Sequence, residues 1–94
     1  AYIGGGCANC ANDTGVTVGG GCNNVATTGD HATVAGGCGN KAVANDATVA
    51  GGKGNCACGT CSFVGGGVIN QTNSPTSVVV GGNQNIENGL LETK

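Results

Sequence analysis

A frame of about fifteen residues recurs six times along this chain, each copy carrying an aliphatic residue, a glycine pair and an asparagine at fixed offsets. The aliphatic column is Ile3, Val18, Val34, Val49, Val64 and Val79, so successive copies are 15, 16, 15, 15 and 15 residues apart. Two residues after each aliphatic comes the pair: Gly5-Gly6, Gly20-Gly21, Gly36-Gly37, Gly51-Gly52, Gly66-Gly67 and Gly81-Gly82. Three residues beyond each pair stands Asn9, Asn24, Asn40, Asn55, Asn70 or Asn85. Self-similarity at a short fixed period marks a repeat architecture, in which each unit buries its apolar side only against its neighbours. The expected fold is all-β, a parallel β-solenoid of six coils. Residues 1–85 form one repeat domain with frames starting at 3, 18, 34, 49, 64 and 79, and residues 86–94 serve as a cap or the start of the next element.

Within one frame, residue types suit two short strands and two corners. The pairs Thr17-Val18, Thr33-Val34, Thr48-Val49, Phe63-Val64 and Val78-Val79 are β-branched or aromatic, as a strand with alternating inward and outward side chains prefers. Small residues form two further columns, Val16, Ala32, Ala47, Ser62, Ser77 and Ala11, Ala26, Ala42, Ala57, Thr72, the latter ending at Glu87. Glycine pairs supply positive φ or let another backbone come close. The asparagine column is expected to occupy the left-handed region and to stack amide on amide between coils. Turn formers such as Asn12-Asp13-Thr14-Gly15 and Asn73-Ser74-Pro75-Thr76 separate the frames, and the one extra residue of the second frame belongs beside Gly29-Asp30-His31.

Composition narrows function as well as fold. Eleven valines, three isoleucines, two leucines, Phe63 and Tyr2 are the sizeable apolar residues of a 94-residue chain with 21 glycines. So few large side chains leave much of the stability to hydrogen-bond ladders and to a core shared between chains, which predicts an oligomer. The net charge is -2, with only Lys41, Lys53 and Lys94 as strong bases, which argues against nucleic acid as a partner. No apolar run approaches the length of a membrane-spanning helix, so no membrane insertion is expected of this segment. The chain opens inside a frame without a methionine, which reads as a segment of a longer polypeptide or a mature product.

The run Thr17-Val18-Gly19-Gly20-Gly21-Cys22-Asn23-Asn24-Val25-Ala26 resembles the T-V-G-G-G-x-x-N-x-A repeats of β-roll head domains in trimeric autotransporter adhesins, and similar repeats of phage and large-virus fibre proteins. Asn55-Cys56-Ala57-Cys58-Gly59-Thr60-Cys61-Ser62-Phe63-Val64-Gly65-Gly66-Gly67 is similar to a cysteine-bearing viral variant. The likeness covers residues 2–85. It implies a left-handed β-roll, a homotrimer around a threefold axis, and a role as a fibre spacer or in attachment to a host-surface receptor, glycan or protein. Localisation would be a virion surface fibre or, alternatively, a bacterial cell surface. Asn83, Glu87 and Pro75 depart from the pattern.

Seven cysteines invite chemistry. Cys7, Cys22 and Cys38 share one column in consecutive coils, so their Cα atoms fall about 4.8 Å apart, within the window for a disulfide; the column is read as a candidate disulfide or thiol stack. Cys7-x-x-Cys10 and Cys58-x-x-Cys61 have metal-ligand spacing but no adjacent histidine, and no metal site or cofactor is expected. Many cysteines also sit better with a protein assembled in reducing cytosol than with an exported adhesin. Gly36-Gly37-Cys38-Gly39-Asn40 is similar to a calcium-binding nonapeptide, except that neutral Asn replaces the ligand Asp and the period is wrong. His31, beside Asp30, has no nucleophile or oxyanion site near it in sequence, so no enzymatic activity is expected. Gly29, Asp30 and His31 are the candidate receptor-facing loop. A second reading is ice binding, from the threonine column Thr17, Thr33, Thr48.

Overall fold

β-Branched and aromatic pairs take the extended positions and glycine or left-handed residues the bends, closing each frame into one rung of a parallel β-solenoid in the computed structural model, which describes residues 1–28 and 30–87. Gly29 of the expanded loop and residues 88–94 of the expected cap lie outside the described residues. The strands are β1 (Tyr2–Ile3), β2 (Cys10–Ala11), β3 (Thr17–Val18), β4 (Val25–Ala26), β5 (Thr33–Val34), β6 (Lys41–Ala42), β7 (Thr48–Val49), β8 (Cys56–Ala57), β9 (Phe63–Val64), β10 (Gln71–Thr72), β11 (Val78–Val79) and β12 (Ile86–Glu87). Odd-numbered strands form one six-stranded sheet and even-numbered strands a second. Every pairing is parallel and joins equivalent frame positions: Ile3 to Val18, Val18 to Val34, Val34 to Val49, Val49 to Val64 and Val64 to Val79.

Each coil has more than the two strands expected from its sequence. A third ladder of single bridges runs Cys7, Cys22, Cys38, Lys53, Val68, Asn83. The solenoid also continues two residues past the boundary read at 85, since β12 pairs with β10 through Gln71–Ile86 and Thr72–Glu87. The extra residue of the second frame is absorbed between Ala26, fifteen residues from its partner Ala11, and Thr33, sixteen from its partner Thr17. Thr28 and His31 take positive φ at that turn, and the ladders on either side keep their register.

Stacked columns fill the interior. Val18, Val34, Val49, Val64 and Val79 are buried, facing Val16, Ala32 and Ala47 and the alanines Ala26, Ala42 and Ala57. Small residues are required because the two walls of a narrow coil meet across little more than one side chain. In the last two coils the same columns become polar. Thr72 Oγ1 donates to Ser62 Oγ at 2.8 Å, and Ser62 Oγ donates to the Gly59 carbonyl at 2.6 Å. Glu87 replaces the alanine, is fully buried, and accepts the Ser74 N–H through Oε1 at 3.3 Å, while Oε2 has no hydrogen-bond partner among the described residues.

The asparagine column differs from its sequence expectation. Left-handed φ belongs to the residue before each asparagine: Ala8, Asn23, Gly39, Gly54, Ile69 and Gln84, at 55–67°. The asparagines bond backbone rather than one another's side chains. Asn40 Nδ2 donates to the carbonyls of Gly36 at 2.8 Å and Gly52 at 3.0 Å, and its Oδ1 accepts the N–H of Asn55 at 2.9 Å. Asn24, Asn55 and Asn70 repeat this pattern, tying the glycine-pair corner of each coil to the next beside the third ladder. Because the side chain must give two donors and an acceptor there, aspartate is no substitute, which explains on structural grounds why the likeness to an Asp-bearing calcium repeat fails.

Candidate functional site

The described residues enclose no pocket, so recognition and chemistry must be sought on the outward faces. Outward from the first sheet point Tyr2, Thr17, Thr33, Thr48, Phe63 and Val78, flanked by Gly4, Gly19, Ala35, Ala50, Gly65 and Val80. None of these twelve positions is charged. Strand alternation requires the layout, since Ile3 and the valines between these positions face inward. Thr17, Thr33 and Thr48 are direct neighbours in register. Val80 at 65% and Tyr2 at 62% are the most exposed of the large apolar side chains.

The second sheet presents a mixed face of Cys10, Val25, Lys41, Cys56, Gln71 and Ile86. Here the chain bends after each strand, bringing the outward residue against the one two positions later. In the fifth coil that contact is a hydrogen bond from Gln71 Nε2 to Asn73 Oδ1 at 2.7 Å, and in the fourth it is a disulfide between Cys56 and Cys58, whose Cα atoms are 5.7 Å apart. Sequence reasoning missed this bridge. The available signal was a Cys-x-Cys across a strand end, where alternate residues share a face.

Cys7, Cys22 and Cys38 do come together, as consecutive positions of the third ladder, and remain free thiols. Cα spacing alone suggested a disulfide. Side chains that project in parallel from adjacent rungs keep their Cβ atoms about 4.8 Å apart, outside the roughly 3.5–4.5 Å that a disulfide needs. Partial burial raises the Cys22 thiol above its ordinary value, and the neighbouring thiols of Cys7 and Cys38 add to the shift. A raised thiol holds its proton at neutral pH, so Cys22 is a poor free nucleophile and becomes a thiolate only where a bound cation displaces the proton.

The remaining candidates are dispersed. Cys10 lies on β2, on a different face from Cys7, and Cys58 is held in the disulfide, so neither C-x-x-C pair assembles as a metal clamp. Among the described residues no three His, Cys, Asp or Glu side chains converge on one point. In the expanded turn, Asp30 donates its N–H to Asn45 Oδ1 at 2.9 Å, and His31 Nδ1 lies 3.4 Å from Asp46 Oδ1 rather than against neighbouring Asp30. Cys61 occupies the same corner one coil further on, with Sγ 4.0 Å from Asp46 Oδ2. His31, Asp46 and Cys61 thus form an exposed column of left-handed residues. Asp46 stands between the imidazole and the sulfur, which separates a would-be base from a would-be nucleophile; the order is wrong for covalent catalysis. A scan against protein-family models finds no match to this chain, and a search of curated proteins finds none either.

Proposed function

We propose that this chain is a structural attachment module: a segment of a trimeric fibre or surface adhesin, three left-handed β-rolls packed around a threefold axis, with turns directed toward a host-surface receptor, glycan or protein. The observation that carries this reading is the first sheet's uncharged outer face. Over six rungs it offers apolar, threonine and small residues, and copies of the chain can meet there without burying a charge. The turn that leads into the first sheet, with Asp30, His31, Asp46 and Cys61, varies in chemistry from rung to rung while the backbone register stays constant, as suits a rigid scaffold that displays side chains. Five free thiols against a single disulfide favour a virion fibre over an exported adhesin. Sedimentation equilibrium should return a trimer, and a compact monomer at micromolar concentration would remove the basis of the proposal.

Ice binding is the second reading, favoured by the in-register threonines Thr17, Thr33 and Thr48. Tyr2 and Phe63 interrupt that column at both ends. Thermal hysteresis, lost in Thr33→Lys, would establish it, and its absence in the soluble chain would eliminate it.

A further inference from the structure

We propose that the Cys7–Cys22–Cys38 column binds two-coordinate soft cations, Cu(I) foremost, one ion between each adjacent pair of sulfurs. The site needs no rearrangement of the ladder. Cys7 pairs with Cys22 and Cys22 with Cys38, the outer two are exposed and the middle one half-buried, so all three sulfurs lie along one accessible line. Equivalent atoms on neighbouring rungs are about 4.8 Å apart. A metal–thiolate bond is about 2.3 Å at zinc, so two such bonds end to end span about 4.6 Å, close to the rung repeat. The spacing that is too long for a disulfide therefore fits a linear sulfur–metal–sulfur bridge.

Ligand type and number select the ion. Thiolates favour soft metals such as Cu(I). No third His, Cys, Asp or Glu side chain converges with any pair among the described residues, which disfavours tetrahedral zinc and leaves the digonal geometry. The charge balance also closes on the molecule. Three thiols release three protons and take up two Cu(I), leaving a string of net charge -1 with no electron transferred. The next position of the same ladder, bridged to Cys38, is Lys53. Its ammonium supplies the compensating charge. The site takes Cys7 from one C-x-x-C pair but not its partner Cys10, which lies on β2, and it is independent of the attachment role.

Anaerobic titration with Cu(I) against the chelator bicinchoninate, with native mass spectrometry to count ions, tests the proposal. The wild-type chain and a variant carrying Cys10→Ser, Cys56→Ser, Cys58→Ser and Cys61→Ser should each hold two Cu(I) ions per chain, with two sulfur neighbours per copper by X-ray absorption. Cys22→Ser leaves Cys7 and Cys38 two rungs apart and should lose both ions while its circular dichroism stays unchanged. Equal copper retention in Cys22→Ser, loss of copper in the four-serine variant with its fold intact, or copper held only in metal-linked dimers would each overturn it.

Discussion

Within one glycine pair the two positions tolerate very different changes. Gly37 has φ of 93°, and a Cβ there would collide with the carbonyl oxygen of Gly52 one coil on, whereas a Cβ at Gly36 meets nothing within 4 Å. Gly37→Ala should lose at least about 2 kcal/mol in urea unfolding, strain and collision acting together. Gly36→Ala should stay within about 0.5 kcal/mol of wild type. The asparagine column gives a second contrast. Asn40→Asp keeps the acceptor for Asn55 N–H but points a carboxylate at the Gly36 and Gly52 carbonyls, so it should destabilise by about 2 kcal/mol or more. Asn40→Asp equal in stability to wild type by denaturant melt would mean the amide donors contribute nothing.

At the scale of the coil, the Cys56–Cys58 bridge closes a loop of only three residues. Chain-entropy reasoning gives such a loop about 1.6 kcal/mol, well below the stabilisation from bridging two distant segments. Replacing both cysteines with alanine should therefore lower stability by no more than about 2 kcal/mol. Glu87 is the weaker joint. Glu87→Gln keeps the Oε1 acceptor for Ser74 and puts a neutral amide, less costly to bury than a carboxylate, in place of a buried carboxyl group, and should slow amide exchange in β10 and β12. The coil itself was legible in the sequence because its constraints are local and repeated: Val18 to Val79 must lie inward, and Gly37 and its equivalents must bend. The third ladder was not, because a single-residue bridge through Cys22 or Lys53 leaves no periodic trace of strand preference. The asparagine's role was half legible, since its conservation of offset marked a backbone need but not whether φ or hydrogen bonding imposed it. The disulfide and the His31–Asp46 contact depend on which neighbours a corner brings together, information held in the bend rather than in residue type.

For the whole molecule, the decisive question is what covers the first sheet. Phe63→Glu sets like charges around the proposed axis without disturbing the inward Val64, so sedimentation should fall from trimer to monomer while circular dichroism is retained. An unaltered trimer would move the contact to another face. The molecule measures 33 × 24 × 12 Å, and its rungs meet through the same parallel strand pairing at each step. The sixteen-residue second frame shows how such an object accommodates change: one surplus residue is taken up at the turn holding Asp30 and His31, and no inward side chain changes place. Reach and decoration are thus inherited separately. A longer version requires duplication of an entire unit, whereas a corner residue can be substituted or inserted without touching the columns; under the proposed attachment role, binding preference would drift quickly while length changes only in fixed increments.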